Sequence, residues 1–319
     1  MSGNSEGPCL DLYRKRTAES IVQNIHFDLN GKRFHALTAG TPGKPLLLFL
    51  HGFPEYCGAW AKVMPEFAEG YYCVAPDQRG YGGSWREGDV PDYAAKHLAA
   101  DVLAMIERFG KGKCAALIGH DWGASIAYAC AMRAPDGMIE RLIIANGVHP
   151  APFQTELAAG GDQSEASQYI EWLRAPGSEK KLAENNFERM FALFSDKMDM
   201  SWLTDELRAE YHRAWRDEAG VRAMINWYRA TPLLVAEPGK PIAPEKLPKW
   251  TPSDLRITMP HLLLWGMKDT ALRPETRDGL AQYCDDLTVA EHDTADHWIL
   301  HQQPDWVADQ INIFLHRTS

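Results

Sequence analysis

The residues with the clearest chemical meaning lie in CAALIGHDWGASIAYACAM, residues 114–132. An apolar run leads into Gly-His-Asp-Trp-Gly and then into a stretch of small residues. This order is typical of a nucleophile elbow, a strand-to-helix turn in which small residues such as Gly119 and Gly123 let backbone segments approach closely. The residue held over the end of the sheet is Asp121. A carboxylate there predicts attack on saturated carbon and an alkyl ester on the enzyme, whereas a serine would predict acyl transfer.

Strands and helices alternate around this turn. Residues 23–40 alternate in polarity on either side of Asn30-Gly31, which predicts a β-hairpin. Residues 92–110 have apolar positions at helical spacing and end at Gly110. Short apolar runs typical of buried strands occupy residues 45–50, 71–77, 114–119, 142–147, 261–266 and 287–292, and a last helix starts near Pro304. This order predicts an α/β protein with a mostly parallel sheet covered by helices on both faces.

The alternation breaks between Pro150 and about Pro260. The first part of this stretch is rich in Trp, Arg and Glu and reads as several helices, and residues 232–252 read as an extended tether. Ligands of open α/β sheets bind at the carboxyl ends of the strands, which is where such an insertion would lie. We therefore predict a core of residues 1–149 and 251–319 and a helical lid with its tether at 150–250.

Composition excludes several function classes. The 319 residues include 33 Lys plus Arg against 43 Asp plus Glu, a net charge of −10, and no basic cluster suits nucleic acid. No apolar stretch is long enough to span a membrane, and the N-terminal segment lacks the apolar core of a signal peptide, so a cytoplasmic protein is expected. The six cysteines lack metal-type spacing, which favours free thiols. No metal or nucleotide motif appears, so no metal and no cofactor is predicted.

Six short motifs follow one another along most of the chain. They are HGFPE at 51–55, RGYGGS at 79–84, GHDWGA at 119–124, NWYRA at 226–230, GMKDTALRPE at 266–275 and ADHW at 295–298. With these motifs the chain resembles the α/β-hydrolases of the epoxide hydrolase type over nearly its whole length beyond residue 20. The resemblance implies the α/β-hydrolase fold, a mostly parallel sheet flanked by helices with an inserted helical lid.

An ester on Asp121 needs a base that activates water. His297 follows the last predicted strand, and Asp269 would orient it, which gives the nucleophile, acid, base order of this fold. Some relatives place the acid after the strand at 142–147, but this chain has Asn146 there. His301 is a rival base, although its position favours packing or capping.

Two further acidic residues lie close to His297 along the chain. Asp293 and Asp296 lie too near His297 along the chain to reach the far nitrogen of its ring, and we interpret both as solvated loop charges.

Opening an epoxide also requires a donor to the developing alkoxide. The resemblance assigns this role to Tyr228 in NWYRA and to Tyr169, which is matched through its spacing to Pro176-Gly177. A phenol is neutral at pH 7 and donates without competing as a nucleophile. Packing within an aromatic lid is the alternative for both tyrosines.

Backbone and aromatic contacts complete the predicted site. Backbone N–H groups of Phe53 and Trp122 are expected to form the oxyanion hole, and the side chains of Trp122 and Trp172 to contact substrate.

The predicted function is conversion of an epoxide and water to a vicinal diol. The aromatic lid and the lack of an obvious charged anchor favour apolar or aryl epoxides, with a monomer or homodimer as the assembly. A haloalkane or haloacetate dehalogenase with the same Asp-His-Asp triad is the main alternative; Phe53 stands where haloalkane enzymes often have Asn, and Trp122 where haloacetate enzymes have Arg. A nonenzymatic binding module of the same fold is the second alternative.

Overall fold

The computed structural model describes residues 22–195 and 197–317. Cys9 lies outside these residues, and so does the N-terminal segment that lacks the apolar core of a signal peptide. The described strands are β1 (Gln23–Leu29), β2 (Lys32–Gly40), β3 (Leu46–Leu50), β4 (Tyr72–Pro76), β5 (Ala116–His120), β6 (Leu142–Ala145), β7 (His261–Gly266) and β8 (Leu287–His292). The described helices are α1 (Ala95–Gly110), α2 (Trp122–Ala131), α3 (Pro150–Ala158), α4 (Asp162–Ala166), α5 (Gln168–Arg174), α6 (Ser178–Ser195), α7 (Asp205–Trp215), α8 (Glu218–Ala230), α9 (Ile299–Gln302) and α10 (Pro304–Leu315).

These strands form one sheet in the order β1-β2-β4-β3-β5-β6-β7-β8. The β1–β2 and β2–β4 pairs are antiparallel and the remaining pairs are parallel. Strands β3 to β7 are buried along their whole length, as expected of a sheet with helices on both faces. The predicted α/β fold is confirmed, and the parallel strands bring their carboxyl ends to one edge.

Local sequence signals set the element boundaries well. Asn30 and Gly31 both adopt positive φ, 50° and 75°, between the two antiparallel strands of the predicted hairpin. Strands β7 and β8 have the predicted limits. Helix α1 ends at Gly110 as predicted but begins at Ala95, because residues 90–93 form a 3-10 turn with a capping box.

Asp77 fixes the loops that follow β3 and β4. Its Oδ1 accepts a hydrogen bond from the Cys57 N–H at 2.8 Å, and its Oδ2 accepts from the Gly83 N–H at 2.8 Å. The His35 ring lies 2.7 Å from Oδ2 and 3.8 Å from the Cys57 sulfur, a buried cluster that cysteine spacing did not reveal. Because the carboxylate already has these partners, we interpret it as the group that ties the HGFPE and RGYGGS loops to β2.

Helices α3 to α8 lie between β6 and β7, in the predicted insertion. Helix α6 is interrupted at residues 184–187, where Asn185, Asn186 and Phe187 have positive φ, so its second half is a separate helical segment. No α-helix is present in residues 231–260, in agreement with the extended tether.

Three buried indole N–H groups join the insertion to the rest of the chain. Trp215 donates to the Pro54 carbonyl at 2.6 Å and Trp227 donates to the Arg79 carbonyl at 2.9 Å. In the opposite direction, Trp298 donates to the carbonyl of Phe194 at 3.1 Å. Each of these bonds gives a backbone carbonyl a donor from across the boundary between the insertion and the rest of the chain.

Four cysteines that form no disulfide are buried: Cys57, Cys73, Cys114 and Cys130. Cys284 is free and partly buried.

In the described part of the chain, no helix combines the length and apolarity required to cross a bilayer.

Close packing between α2 and β3 generates the first prediction. A Cβ on Gly123 would lie 2.2 Å from the Leu50 carbonyl oxygen and 2.6 Å from the His51 carbonyl oxygen, and neither backbone atom can move freely. We expect Gly123→Ala to lower the free energy of unfolding by about 2 kcal/mol or more, as overpacking does. Denaturant unfolding followed by circular dichroism measures this loss.

Gly70→Ala is the matched control, because a Cβ on Gly70 meets no atom within 4 Å. Its stability should equal that of the unaltered protein or exceed it slightly. Equal stability of the Gly123 and Gly70 variants would show that the α2 to β3 contact is not as tight as described.

Candidate active site

Asp121 occupies a strained backbone position at the junction of β5 and α2. Its φ of 51° and ψ of −118° are rare for a residue other than glycine. The neighbouring glycines make this turn possible: a Cβ on Gly119 would lie 2.6 Å from the Gly123 carbonyl oxygen, and one on Gly52 would lie 2.3 Å from the Asp121 Cβ. The turn therefore has the geometry of the predicted nucleophile elbow, in which the carboxyl group is presented beyond the end of the sheet.

Two backbone N–H groups contact the Asp121 carboxylate. The Phe53 N–H donates to Oδ1 at 2.7 Å, and the Trp122 N–H provides a second hydrogen bond. Burial raises the pKa of Asp121, while the charges of His297 and His120 and the two N–H groups oppose that rise. The side chain is 13% exposed and borders a cavity.

His297 lies between two carboxylates. Its Nδ1 is 2.8 Å from Asp269 Oδ2, and its Nε2 is 3.8 Å from Asp121 Oδ2. Burial alone would lower the pKa of His297, but the charge and hydrogen bond of Asp269, with the charge of Asp121, raise it to about 9. The structure thus brings the predicted base, acid and nucleophile together in one chain of contacts.

Asp269 is held by donors that sequence reasoning missed. Its Oδ1 accepts from the backbone N–H groups of Ala271 and Leu272, both at 2.8 Å. Its Oδ2 accepts from Asn146 Nδ2 at 2.8 Å, the same oxygen that faces His297. Asn146 also accepts from the Gly266 N–H at 2.8 Å. The side-chain amide of Asn146, which stands where some relatives have the acid, therefore orients Asp269. The position of Asn146 directly after the LIIA strand could have suggested this role.

A second buried carboxylate, Glu55, lies behind the nucleophile. It contacts His120 Nδ1 at 3.1 Å, His301 Nε2 at 2.5 Å and the Tyr211 hydroxyl at 3.2 Å. Burial would raise the pKa of Glu55, but the charges and hydrogen bonds of the two imidazoles lower it. His120 Nε2 is 2.8 Å from the carbonyl oxygen of His297, so this network connects the elbow with the loop that carries the base.

His301, the rival base, belongs to that second network. Its ring stacks on Trp202 with centroids 3.9 Å apart, and its Nε2 faces Glu55. The geometry therefore favours His297 as the imidazole that serves Asp121.

The reading of Asp296 as a solvated charge was wrong. Its side chain is buried and accepts from the Asp199 N–H at 2.8 Å and from the Trp298 N–H at 2.9 Å. The carboxylate is buried because the insertion covers it, which the local sequence does not reveal. Asp293 is exposed, as expected.

The two predicted tyrosines line the same cavity as Asp121. Their rings lie 6.1 Å apart, and Tyr228 also contacts Phe53 edge-on at 5.1 Å. Burial raises the pKa of Tyr228 and of Tyr169, and the Asp121 charge adds to both effects. Both phenols are therefore neutral hydrogen-bond donors at physiological pH.

The cavity has a volume of about 820 Å³. Trp172 lines it as predicted, whereas the Trp122 indole packs edge-on against Tyr228 and Trp227, 5.0 and 5.8 Å away. Aromatic and apolar side chains of the insertion form much of its wall. Charged residues also line it, namely Asp162, Glu165, Arg189, Lys197 and Arg273. The expectation of a cavity without a charged anchor therefore fails.

Comparison with known proteins finds one matching family model and several similar sequences. Residues 45–304 match the model of the alpha/beta hydrolase fold family. The chain is 32% identical to the AB hydrolase superfamily protein YfhM of Bacillus subtilis over 86% of this chain and 91% of the relative. It is also 32% identical to epoxide hydrolase 4 of Mus musculus, over 90% of this chain and 77% of the relative.

Solved structures agree with these relatives. A structure from work on novel epoxide hydrolases in metagenomes from hot environments has a TM-score of 0.85 and 32% identity, and the match covers 93% of this chain and 99% of that one. Bacillus megaterium epoxide hydrolase in complex with an inhibitor has a TM-score of 0.81 and 28% identity, over 92% and 100% of the two chains.

The contacts of His297 generate a prediction that needs no substrate. Because the Asp269 charge holds the pKa of His297 at about 9, Asp269→Asn should lower that pKa by at least one unit. The pH titration of the imidazole resonances by NMR measures the change. Asp293→Asn removes an exposed carboxylate nearby in sequence and should leave the titration unchanged. An unshifted pKa in the Asp269 variant would contradict the assigned pairing.

Proposed function

The chain belongs to the epoxide hydrolases of the α/β-hydrolase family. We propose that Asp121 and His297 convert an epoxide to a vicinal diol in two covalent steps. One observation carries this proposal: the Asp121 carboxylate, the His297 ring and two neutral phenols all border one cavity. The groups are those that carbon alkylation and ester hydrolysis require.

In the first step Asp121 Oδ2 attacks an epoxide carbon, and the bond from that carbon to the ring oxygen breaks. Oδ2 is the nucleophile because Oδ1 already accepts the Phe53 N–H. The ring oxygen takes a proton from Tyr169 or Tyr228, and the other phenol hydrogen-bonds to it. Neutral phenols suit this task because they donate without competing for the carbon.

The second step is hydrolysis of the resulting ester. His297 Nε2 accepts a proton from water, the hydroxide attacks the Asp121 carbonyl carbon, and Oδ1 receives the negative charge. The N–H groups of Phe53 and Trp122 stabilise that charge, a contribution of about 3 kcal/mol per donor in other enzymes. Collapse of the intermediate expels the diol oxygen, which takes the proton from His297. The hydroxyl group that water left on the Asp121 carboxyl then gives its proton to His297, which restores both the carboxylate and the protonated ring.

The raised pKa of His297 fits this sequence of events. Before attack, a protonated ring faces the ionised Asp121. Alkylation removes the Asp121 charge, so the ring loses one of the interactions that favour its proton. We propose that this proton returns to the phenol that donated in the first step, which leaves His297 neutral and able to act as base.

Several finer expectations belong to this proposal. Residues 150–250 would act as the lid, since α4, α5, α6 and α8 supply cavity wall. Three further parts of the proposal come from the sequence patterns: turnover without metal or cofactor, a monomeric or dimeric assembly, and a cytoplasmic location. The dehalogenase alternative is less well supported, because the Phe53 side chain has no donor for a leaving halide. The intact contacts among Asp121, Asp269 and His297 favour an enzyme over a binding module.

Variants of the two central residues test the covalent route. With styrene oxide, Asp121→Asn should lose turnover by about 10³-fold or more, and His297→Gln should be alkylated but hydrolyse the ester very slowly. Mass spectrometry of His297→Gln after one turnover should show a substrate adduct on the peptide containing Asp121.

Heavy-oxygen water supplies the control. In a single turnover with excess native enzyme, the label should enter the Asp121 carboxylate before it reaches the diol. Direct labelling of the diol, with none in the enzyme, would exclude the ester.

The pH dependence separates the two steps. Below the pKa of His297 in the ester the ring is protonated and cannot accept from water, so hydrolysis should slow as pH falls. That pKa lies below the resting value of about 9, because the ester carries no charge. Rapid-quench experiments between about pH 6 and pH 9 should show more accumulated ester at the lower pH. An ester level that does not vary with pH would exclude His297 as the base.

A further inference from the structure

We infer that Asp296 is a positioning residue, which joins the insertion to the turn that carries His297 and so holds this imidazole in place for ester hydrolysis. The inference rests on the proposed function and adds a residue to it. It depends on the hydrogen bonds by which Asp296 and Gln302 bind the backbone of Asp199.

The side chain of Asp296 shapes the backbone around the proposed base. Its Oδ1 accepts a hydrogen bond from the Trp298 N–H at 2.9 Å, which closes an Asx turn over His297. The imidazole of His297 leaves the chain from the middle of this turn. The direction of the ring towards Asp121 therefore depends on a turn that the Asp296 carboxylate stabilises.

The other oxygen of the same carboxylate reaches the insertion. Asp296 Oδ2 accepts from the backbone N–H of Asp199 at 2.8 Å. Gln302 Nε2 donates to the carbonyl oxygen of Asp199 at 3.1 Å, and Gln302 Oε1 accepts from the Asp296 N–H at 2.9 Å. Together with the bond from Trp298, these hydrogen bonds form what we call the Asp296 clamp.

A carboxylate is the side chain that this position requires. Two backbone N–H groups approach Asp296 from different segments, and each of them donates to one of its two oxygens. An amide of the same shape has one acceptor oxygen, so its NH2 group would face one of these N–H groups. The residue is only 3% exposed, so a donor left without its acceptor gains no full replacement from water. The need for two acceptors therefore explains why a charged residue is buried here.

The segment that the clamp holds belongs to the cavity wall. Lys197 and Met198, which directly precede Asp199, line the cavity, and Phe194 accepts the hydrogen bond of the Trp298 indole at 3.1 Å. The wall is thus bonded to the residues on both sides of His297. A misplacement of about 1 Å can cost about 10²-fold in rate, so the position of this turn matters for the reaction.

Loss of the clamp should slow one chemical step more than the other. Ester formation uses the Asp121 carboxylate and the phenols, whereas ester hydrolysis requires His297 Nε2 beside the attacking water. We therefore expect the rate constant of ester formation to stay within about twofold of the native value and that of hydrolysis to fall by about tenfold.

The test is a single-turnover rapid-quench experiment with styrene oxide, which gives both rate constants for the folded enzyme. Asp296→Asn keeps the size of the side chain and one acceptor, and it should slow hydrolysis selectively. Gln302→Ala removes the other half of the clamp at a less buried position, and it should show the same selectivity with a smaller loss. Asp293→Asn removes an exposed carboxylate from the same loop and should match the native enzyme in both steps.

A residue needed only for stability would give a different result. Its replacement would lower Tm, but the protein that remains folded would show native rate constants for both steps. Native rate constants in Asp296→Asn, or equal slowing of both steps, would overturn the inference and leave the proposed function standing. If Asp296→Asn does not fold, the same criterion applies to Gln302→Ala. If His297→Gln forms no ester on Asp121, the proposed function itself fails.

Discussion

The left-handed backbone of Asp121 is the constraint on which the rest of the site depends. A non-glycine residue at a φ of 51° costs free energy, of order 1–3 kcal/mol, and persists only because β5 and α2 fix both sides of the turn. The close approach of Gly52, Gly119 and Gly123 follows directly from this geometry. So does the direction of the carboxyl group, which leaves the sheet and meets the N–H of Phe53. A relaxed backbone at this one residue would move the carboxylate away from both its donors and His297.

Burying this carboxylate creates an electrostatic problem that the surrounding groups resolve. Removing an ion from water costs several kcal/mol, so buried charges occur with partners. Asp121 has His297 and two N–H groups, and Asp269 has His297, Asn146 and two further N–H groups. Glu55 lies between two imidazoles. Each of these buried acids thus has an imidazole ring as a close neighbour.

The sequence predicted those features that local residue patterns determine. Asn30-Gly31 defined a hairpin, the apolar runs defined strands, and the glycines around Asp121 defined the turn. The chain order of Asp121, Asp269 and His297 indicated which groups meet, because strand ends share one edge of the sheet. Contacts between distant segments were not accessible in this way. Asn146 acquires its role only when β6 and β7 pair, Asp296 is buried only by the insertion, and Arg189 enters the cavity through the fold of α6.

The indole bonds of Trp215, Trp227 and Trp298 have a consequence for how this architecture can diversify. Pro54 and Arg79 belong to the loops that surround Asp121, yet their carbonyl groups receive donors from the insertion. Exchanging the inserted helices for those of a distant homologue would remove these donors, at a cost of about 1–3 kcal/mol for each carbonyl left unsatisfied. We therefore expect recombination between homologues to be tolerated best when the exchanged insertion carries tryptophans at matching places, and substrate range in such chains to change mainly by point substitution along the cavity wall.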